Sequence, residues 1–154
     1  MSIKVVIAFH SGYGHTARQA AAVAAGVDSV DGAEAELRDV TVLDQSLWDT
    51  LAAADAIVFG SPTYFGSTSS SFQAFAEAAA PIWQAQGWKD KLAAGFPNSA
   101  GANGNKDNVL TSMVVLAAQH GMTWVPLGLP PGWIYSSRGS CEELNRLGGF
   151  LGAS

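Results

Sequence analysis

The feature that most restricts the fold of this 154-residue chain is a regular alternation of short apolar runs with alanine-rich helical patterns. Continuous runs rich in β-branched residues are typical of strands buried on both faces, and apolar residues recurring every three or four positions are typical of helices. The predicted strands are Ile3–Phe9, Ala35–Val40, Asp55–Gly60, Leu92–Phe96 and Met122–Leu127. Five such units predict an α/β fold with a parallel sheet and helices on both faces.

Two capping patterns predict where helices begin. Ser46 to Asp49 resembles a capping box and predicts a short helix that ends at Ala54, while Ser140 to Glu143 predicts a last helix that runs toward Leu151. We find no linker or repeat, and therefore expect residues 1–154 to form a single domain. Ligands of parallel α/β sheets bind beyond the carboxyl ends of the strands, so the loops after the first, third and fourth strands are the candidate ligand-binding segments.

Charge and cysteine content exclude several classes of protein. Eight Lys and Arg against 13 Asp and Glu give a net charge of −5, which argues against nucleic acid or an anionic membrane as a partner. No apolar window approaches the length of a membrane span. The single cysteine, Cys141, and three scattered histidines provide no disulfide framework and no metal site. We therefore expect a cytoplasmic protein without a bound metal.

The first loop has the composition of a phosphate site that needs no lysine or arginine. Gly12 and Gly14 allow the backbone to turn its N–H groups inward, Ser11 and Thr16 add hydroxyls, and the helix that follows adds partial positive charge. Tyr13 and His15 complete the loop. His15 is equally well interpreted as a donor to phosphate or as an exposed loop residue.

Two other phosphate-binding motifs compete with this interpretation. A Walker A loop requires a Gly-Lys-Ser/Thr sequence, which the loop lacks. A Rossmann fingerprint is satisfied by Gly12, Gly14 and Ala17, with Asp39 as a candidate ribose-binding acid. A Rossmann-type NAD(P)-binding module therefore remains an alternative at this point.

The third and fourth loops have the composition of a site for a planar ring. The third combines a proline turn, two aromatic side chains and a glycine, and the fourth consists of small and amide-bearing residues that can approach a polar ring edge. The candidate residues are Pro62, Thr63, Tyr64, Phe65 and Gly66 in the third loop, and Asn98, Ser99, Ala100, Gly101 and Gly104 in the fourth.

Four segments in order give the chain a family resemblance: SGYGHT, FGSPTYFG, IWQAQGWKDKLAAGF and AAQHGMTWVPLG. Together they resemble the flavodoxin-like superfamily, and within it the WrbA-type NAD(P)H:quinone oxidoreductases and the NADPH-dependent FMN reductases. The resemblance implies a doubly wound, five-stranded parallel sheet of order 2-1-3-4-5. It also implies FMN as cofactor, with residues 11–16 at its phosphate and the third and fourth loops at its isoalloxazine ring.

The same resemblance assigns two further residues and a state of assembly. It places His120 near the flavin as a candidate catalytic residue, and it brings Trp83 to the flavin from a neighbouring subunit. A histidine favoured by the helix dipole is an equally good interpretation of His120. The resemblance further implies a homo-oligomer, a tetramer or a dimer.

The predicted function is transfer of two electrons from NAD(P)H, through FMN, to a quinone or a similar planar acceptor. The runner-up is a flavodoxin-type one-electron carrier, whose partners are commonly docked by an acidic rim. Residues 62–71 and 97–105 contain no Asp or Glu, which favours a slot for apolar substrates.

Overall fold

A computed structural model describes residues 2–132 and 142–154, and it contains parallel strands and helices in alternation. The strands are β1 (Ile3–Phe9), β2 (Ala33–Asp39), β3 (Ala56–Tyr64), β4 (Ser67–Thr68), β5 (Leu92–Asn98) and β6 (Thr123–Trp124). The helices are α1 (His15–Asp28), α2 (Gln45–Ala53), α3 (Ser70–Ala78), α4 (Ala80–Gln84) and α5 (Lys106–Gln119).

The strands form one sheet in the order β2-β1-β3-β5-β6, and every pair along this path is parallel. The two-residue strand β4 pairs antiparallel with the end of β3. Because β5 and β6 are the fourth and fifth strands of the parallel set, the order 2-1-3-4-5 and the flavodoxin-like α/β fold are confirmed. The carboxyl ends of β1, β3 and β5 meet at one edge of this sheet.

Two apolar layers cover the sheet, as the alternation of side chains along a strand requires. In β1, Val6 and Ala8 belong to a large layer under α2, α3 and α5, whereas Ile7 and Phe9 belong to a smaller layer under α1. The large layer contains Phe59, Phe72, Phe75 and Trp88, whose ring centroids lie 5.7–6.5 Å apart in the contacting pairs.

The third strand is longer than predicted, and the prediction of a turn at Pro62 is wrong. Pro62 is buried within β3 and pairs with Asn98 of β5. A strand tolerates proline there because β1 stops at Phe9, opposite Gly60, and has no partner for Pro62 to lose. The chain reverses later, at Phe65 and Gly66, whose φ values of 49° and 78° match a type I′ hairpin turn.

Two predicted helix starts also differ from the structure. Helix α2 is capped by Asp44, whose carboxylate accepts the Leu47 N–H at 2.8 Å, rather than by Ser46. Ser140 and Cys141 lie outside the described residues, but residues 142–154 form turns instead of the expected helix. Asn145 and Gly148 have positive φ values of 52° and 71°, which interrupt a right-handed helix.

Candidate functional site

A cavity of about 390 Å³ opens at the carboxyl edge of the sheet, where three loops meet. This volume is within the usual range for small-molecule sites. Ten residues line it, and all belong to the set predicted from the three loops: Gly12, Tyr13, His15, Thr16, Pro62, Thr63, Tyr64, Asn98, Ser99 and Ala100. The topology therefore brings together segments that are separated by up to about ninety positions in the chain.

The first loop presents the N-terminus of α1 to this cavity. Gly14 is the N-cap in a left-handed conformation, with φ 88°, and it has no side chain to occupy the first-turn N–H groups. The Ser11 hydroxyl accepts hydrogen bonds from the N–H groups of Gly14 and Ala17, both at 3.1 Å. Ser11 and Gly14 thus shape the loop, while Thr16, which is buried, lines the cavity.

The first and third loops approach closely at Gly12. A Cβ atom at this position would lie 2.3 Å from the Tyr64 hydroxyl oxygen, so glycine permits the observed packing. Below them, His10 Nδ1 and Ser69 Oγ are hydrogen-bonded at 2.8 Å, and the Ser61 hydroxyl accepts the Ser69 N–H at 3.0 Å. These bonds join the ends of β1 and β3 to the start of α3.

Thr63 supplies a polar atom that the protein itself does not satisfy. Its hydroxyl oxygen is buried, lacks a hydrogen-bond partner among the described residues, and belongs to a residue that lines the cavity. A buried hydroxyl without a partner costs about 1–3 kcal/mol in proteins. A ligand with a polar ring edge would recover that free energy.

We expect Thr63→Val to have opposite effects on the free and ligand-bound protein. Valine keeps the shape but removes the unsatisfied hydroxyl, so the free energy of unfolding of the ligand-free protein should rise by about 1 kcal/mol. Affinity for FMN should fall about tenfold, because one hydrogen bond is lost. Urea unfolding and flavin titration measure the two effects. A fall in both quantities would indicate that Thr63 serves the fold rather than a ligand.

The fourth loop is held in a tight turn beside the cavity. The Ser99 hydroxyl donates to the Gly101 carbonyl at 2.7 Å, and a Cβ atom on Gly104, whose φ is 56°, would lie 2.1 Å from Ser99 Oγ. Gly101 and Gly104 do not line the cavity, but they permit the turn that presents Asn98 and Ser99 to it.

Four other predicted residues lie away from the cavity lining. Phe65 and Gly66 form the tip of the β3–β4 hairpin, where the Phe65 side chain is fully exposed. Trp83 on α4 is 51% exposed and does not line the cavity. His120 follows α5, and because that helix runs antiparallel to the strands, its end lies at the opposite edge of the sheet.

His120 therefore does not line the cavity of its own chain, and its role at a flavin stays a prediction. The imidazole is 3% exposed and packs on Trp88, with ring centroids 4.4 Å apart. Its Nδ1 atom and the Trp88 indole nitrogen are both buried without a hydrogen-bond partner among the described residues. Burial lowers the pKa of His120 below its usual 6.5, because the charged form is desolvated.

This lowered pKa predicts a loss of stability in acid. Below pH 6.5 the unfolded chain binds a proton at His120 that the folded protein resists, so the free energy of unfolding should fall as the pH drops through that value. The fall should level off below the folded-state pKa. His120→Gln should flatten the profile between about pH 7 and pH 5, while His15→Gln, at an exposed histidine, should keep it. Equal slopes in both variants would assign the acid sensitivity to other groups.

The described residues contain neither a metal-binding cluster nor a membrane-spanning helix. No group of three or more His, Cys, Asp or Glu side chains within residues 2–132 and 142–154 is arranged to hold a metal ion. None of the helices in that part of the chain is long and apolar enough to cross a bilayer.

Lys106 is a residue that the sequence interpretation missed. It occupies the first position of α5, directly after the fourth loop, and is 8% exposed. The helix dipole disfavours a lysine at a helix N-terminus. This unfavourable placement is the signal in the sequence that could have identified Lys106.

Comparison with known proteins identifies the family. A family model described as NADPH-dependent FMN reductase matches residues 13–129, which is most of the chain. The chain belongs to the NADPH-dependent FMN reductase family. This membership indicates an oxidoreductase and supports FMN as its cofactor.

Individual relatives agree with this assignment. Flavodoxin FldP of Pseudomonas aeruginosa (strain UCBPP-PA14) is 42% identical over 153 residues, which cover 97% of this chain and 79% of that protein. The crystal structure of a flavodoxin, WrbA-like protein from Agrobacterium tumefaciens is 46% identical with a TM-score of 0.74, and the match covers 80% of this chain and 77% of that one. A flavodoxin from the domain Archaea, 20% identical with a TM-score of 0.66 over 80% of this chain and 78% of that one, shares the fold.

Proposed function

We propose that this protein binds FMN in the 390 Å³ cavity and transfers two electrons from NAD(P)H to quinones or similar planar acceptors. The observation that carries the proposal is the pairing, in one cavity, of a helix N-terminus whose N-cap is a glycine with a buried hydroxyl on Thr63 that has no partner among the described residues. The first suits a phosphate and the second suits the polar edge of a ring.

The residues of the cavity fit FMN in size and chemistry. Gly12 and Thr16, with the first N–H groups of α1, would hold the phosphate. Thr63 and Asn98 would bond the ring edge, and Tyr64 offers a flat apolar face. Bound FMN supplies the hydride and electron chemistry, while these side chains bind it, orient it and exclude water from one side.

A Rossmann-type dinucleotide site is less well supported. Its ribose-binding acid would be Asp39, but that carboxylate accepts the Thr41 N–H at 2.9 Å within its own turn. Asp39 also does not line the cavity that contains Gly12.

A one-electron carrier is the second candidate, because the chain is 42% identical to a protein named flavodoxin FldP. The cavity rim favours the reductase instead. No Asp or Glu lines the cavity, and the exposed side chains of Tyr13 and Tyr64 border it. Apolar borders of this kind suit a planar substrate better than an acidic docking face does.

Flavin titration of the apoprotein tests the cofactor, and steady-state kinetics test the reaction. We expect FMN to bind much more tightly than FAD, since the cavity ends at a phosphate site and offers no place for adenosine. With benzoquinone as acceptor, we expect NADPH oxidation with parallel double-reciprocal plots. Tight FMN binding without NADPH turnover would reject the reductase and leave the carrier.

The proposal includes a cytoplasmic homo-oligomer, a tetramer or a dimer. The half-exposed indole of Trp83 supports an interface on α4, because large aromatic side chains are enriched where subunits meet. Light scattering over a range of protein concentrations tests this part of the proposal. A monomer at every concentration would reject it and remove Trp83 from any flavin site.

A further inference from the structure

The outer side of β2 is an open edge of the sheet. β2 stands at one end of the strand order, so no strand of the described residues pairs with its outer side. On its inner side, the Gly32 carbonyl accepts the Ile3 N–H at 2.7 Å. The Val40 N–H likewise donates to the Phe9 carbonyl at 3.0 Å. Because successive residues of a strand direct their backbone groups to opposite sides, even-numbered residues of β2 bond to β1 and odd-numbered residues face outward.

The chain covers one part of this edge and leaves the other part open. The Asp28 carboxylate accepts the outward N–H of Ala35 at 2.9 Å. Among the described residues, no side chain covers the outward N–H groups of Leu37 and Asp39 in this way. A row of open N–H and carbonyl groups is a template for pairing with another strand. The available template is therefore the second half of β2.

Side chains of opposite charge flank the centre of this open segment. Glu36 and Arg38 pair with Val6 and Ala8 of β1, so their side chains lie on the face that α2 covers. The Glu36 side chain is 52% exposed, and its carboxylate lies 3.4 Å from Arg38 Nη1 of the same chain. Between them, on the opposite face, Leu37 is an apolar residue with 44% of its surface exposed.

We propose that β2 pairs antiparallel with β2 of a second copy of this chain, with Leu37 on the two-fold axis. Each Leu37 N–H then donates to the carbonyl of the partner's Leu37, and each Asp39 N–H donates to the carbonyl of the partner's Ala35. The same register places Glu36 directly opposite the partner's Arg38, twice by symmetry. These two residues form pairs without backbone hydrogen bonds, where opposing side chains are closest.

Charge selects this register over its neighbours. If the axis moves by one or two residues along β2, like charges stand directly opposite each other: Glu34 against Glu36, Glu36 against Glu36, Arg38 against Arg38, or Asp39 against Asp39. Like charges directly opposite are destabilising, whereas opposite charges stabilise a strand pair. With the axis at Leu37, both charged pairs are attractive and two apolar side chains meet at the centre. The occupant that fits this edge is therefore the same edge of another copy.

This interface goes beyond the proposed function and is independent of the redox reaction, because no residue of β2 lines the 390 Å³ cavity. It also differs from the interface proposed on α4. A two-fold interface at β2 alone gives a dimer. Combined with a second two-fold interface on another surface, it gives a closed tetramer.

Charge reversal in the full chain tests the register. Glu36→Arg puts two arginines opposite each other, and Arg38→Glu does the same with two glutamates. We expect either change to raise the dissociation constant of the β2 interface about 10- to 100-fold, since two attractive pairs become repulsive. The double exchange should restore the original constant. Sedimentation velocity at micromolar to millimolar concentrations measures the assembly, and circular dichroism checks that each variant folds.

A mixture of the two single variants provides the sharpest comparison. One Glu36→Arg chain and one Arg38→Glu chain bring opposite charges together at both positions. The mixture should therefore recover the assembly size of the unmodified protein, which neither variant reaches alone. Glu34→Arg is the matched control, because it reverses a charge on the same strand and face but lies opposite the partner's Val40. It should keep the assembly size.

Leu37→Pro tests the backbone bonds independently of charge. Proline removes the central N–H, and an edge strand tolerates proline where that N–H faces outward. The variant should therefore fold but fail to associate through β2. Leu37→Val keeps the N–H and an apolar side chain, so it should associate as the unmodified protein does.

Three results would overturn the pairing: an unmodified protein that is monomeric at every concentration, single charge variants of full assembly size, or a mixture that recovers nothing. Trp83→Ala separates this interface from the one on α4. An assembly that survives Trp83→Ala but is lost in Glu36→Arg supports β2, and the reverse result rejects it. All β2 variants should keep the affinity for FMN. A failure of the unmodified protein to bind FMN or to oxidise NADPH would thus reject the proposed function and leave the β2 interface standing.

Discussion

Replacing Gly14 with valine should lower the affinity for FMN by about 100-fold. Gly14 is the N-cap of α1 with φ 88°, a conformation that costs a non-glycine residue about 1–3 kcal/mol and is hardest for a β-branched one. The backbone will relieve this strain by turning away from the left-handed region. The N–H groups of the first turn would then no longer converge on the phosphate. Titration of the apoprotein with FMN measures the loss.

Gly32 offers a matched control for this substitution. Its φ is 83°, and a Cβ atom would meet nothing within 4 Å, as at Gly14. It lies at the other edge of the sheet, where its carbonyl accepts the Ile3 N–H at 2.7 Å. We expect Gly32→Val to reduce the free energy of unfolding as much as Gly14→Val does, while keeping the affinity for FMN. If Gly14→Val also kept that affinity, the phosphate would have to lie elsewhere.

The sheet could be predicted from the sequence because its central strands are buried on both faces. β1, β3 and β5 therefore appear as continuous apolar runs, and glycine or polar residues mark their ends. The ends of the edge strand β6 are harder to predict, since only Thr123 and Trp124 pair with β5. The Val125 and Leu127 N–H groups bond to Ala93 and Phe150 outside regular strand pairing.

The incorrect predictions about the fold rest on local sequence rules that the tertiary structure overrides. Pro62 indicates a turn by itself, but it is acceptable in β3 because the neighbouring strand has already ended. The Ser-Cys-Glu-Glu pattern is a good helix start, yet the segment after it is held by other bonds. The Leu151 carbonyl accepts the Trp124 indole N–H at 2.9 Å, and a Cβ atom on Gly152 would lie 2.2 Å from the Gly95 carbonyl oxygen.

The cavity lining could be predicted because each of its three loops carries a local signal. The positions of residues outside these loops, relative to the cavity, could not be predicted in the same way. The motif that contains His120 suggests a role at the flavin, but the direction of α5 takes the side chain to the far edge of the sheet. Conversely, Lys106 belongs to no motif, and only the folded chain reveals that it is buried.

The far edge of the sheet should contribute stability without contributing to ligand affinity. Trp88 is fully buried and contacts Phe59, Phe75 and His120, with ring centroids 6.4, 6.1 and 4.4 Å away. Replacing a buried tryptophan with alanine removes these contacts and leaves a large void. We therefore expect Trp88→Ala to reduce the free energy of unfolding by about 3–5 kcal/mol, measured by urea denaturation.

Trp83 provides the control, because the same substitution there removes a half-exposed ring. Trp83→Ala should cost less than about 1 kcal/mol. Trp88→Phe keeps most of the packing and removes the unpartnered indole nitrogen, so it should fold even if Trp88→Ala does not. The phenylalanine variant should bind FMN as tightly as the unmodified protein, because the cavity lies at the opposite edge of the sheet. A loss of FMN affinity in that folded variant would show that the two edges are coupled.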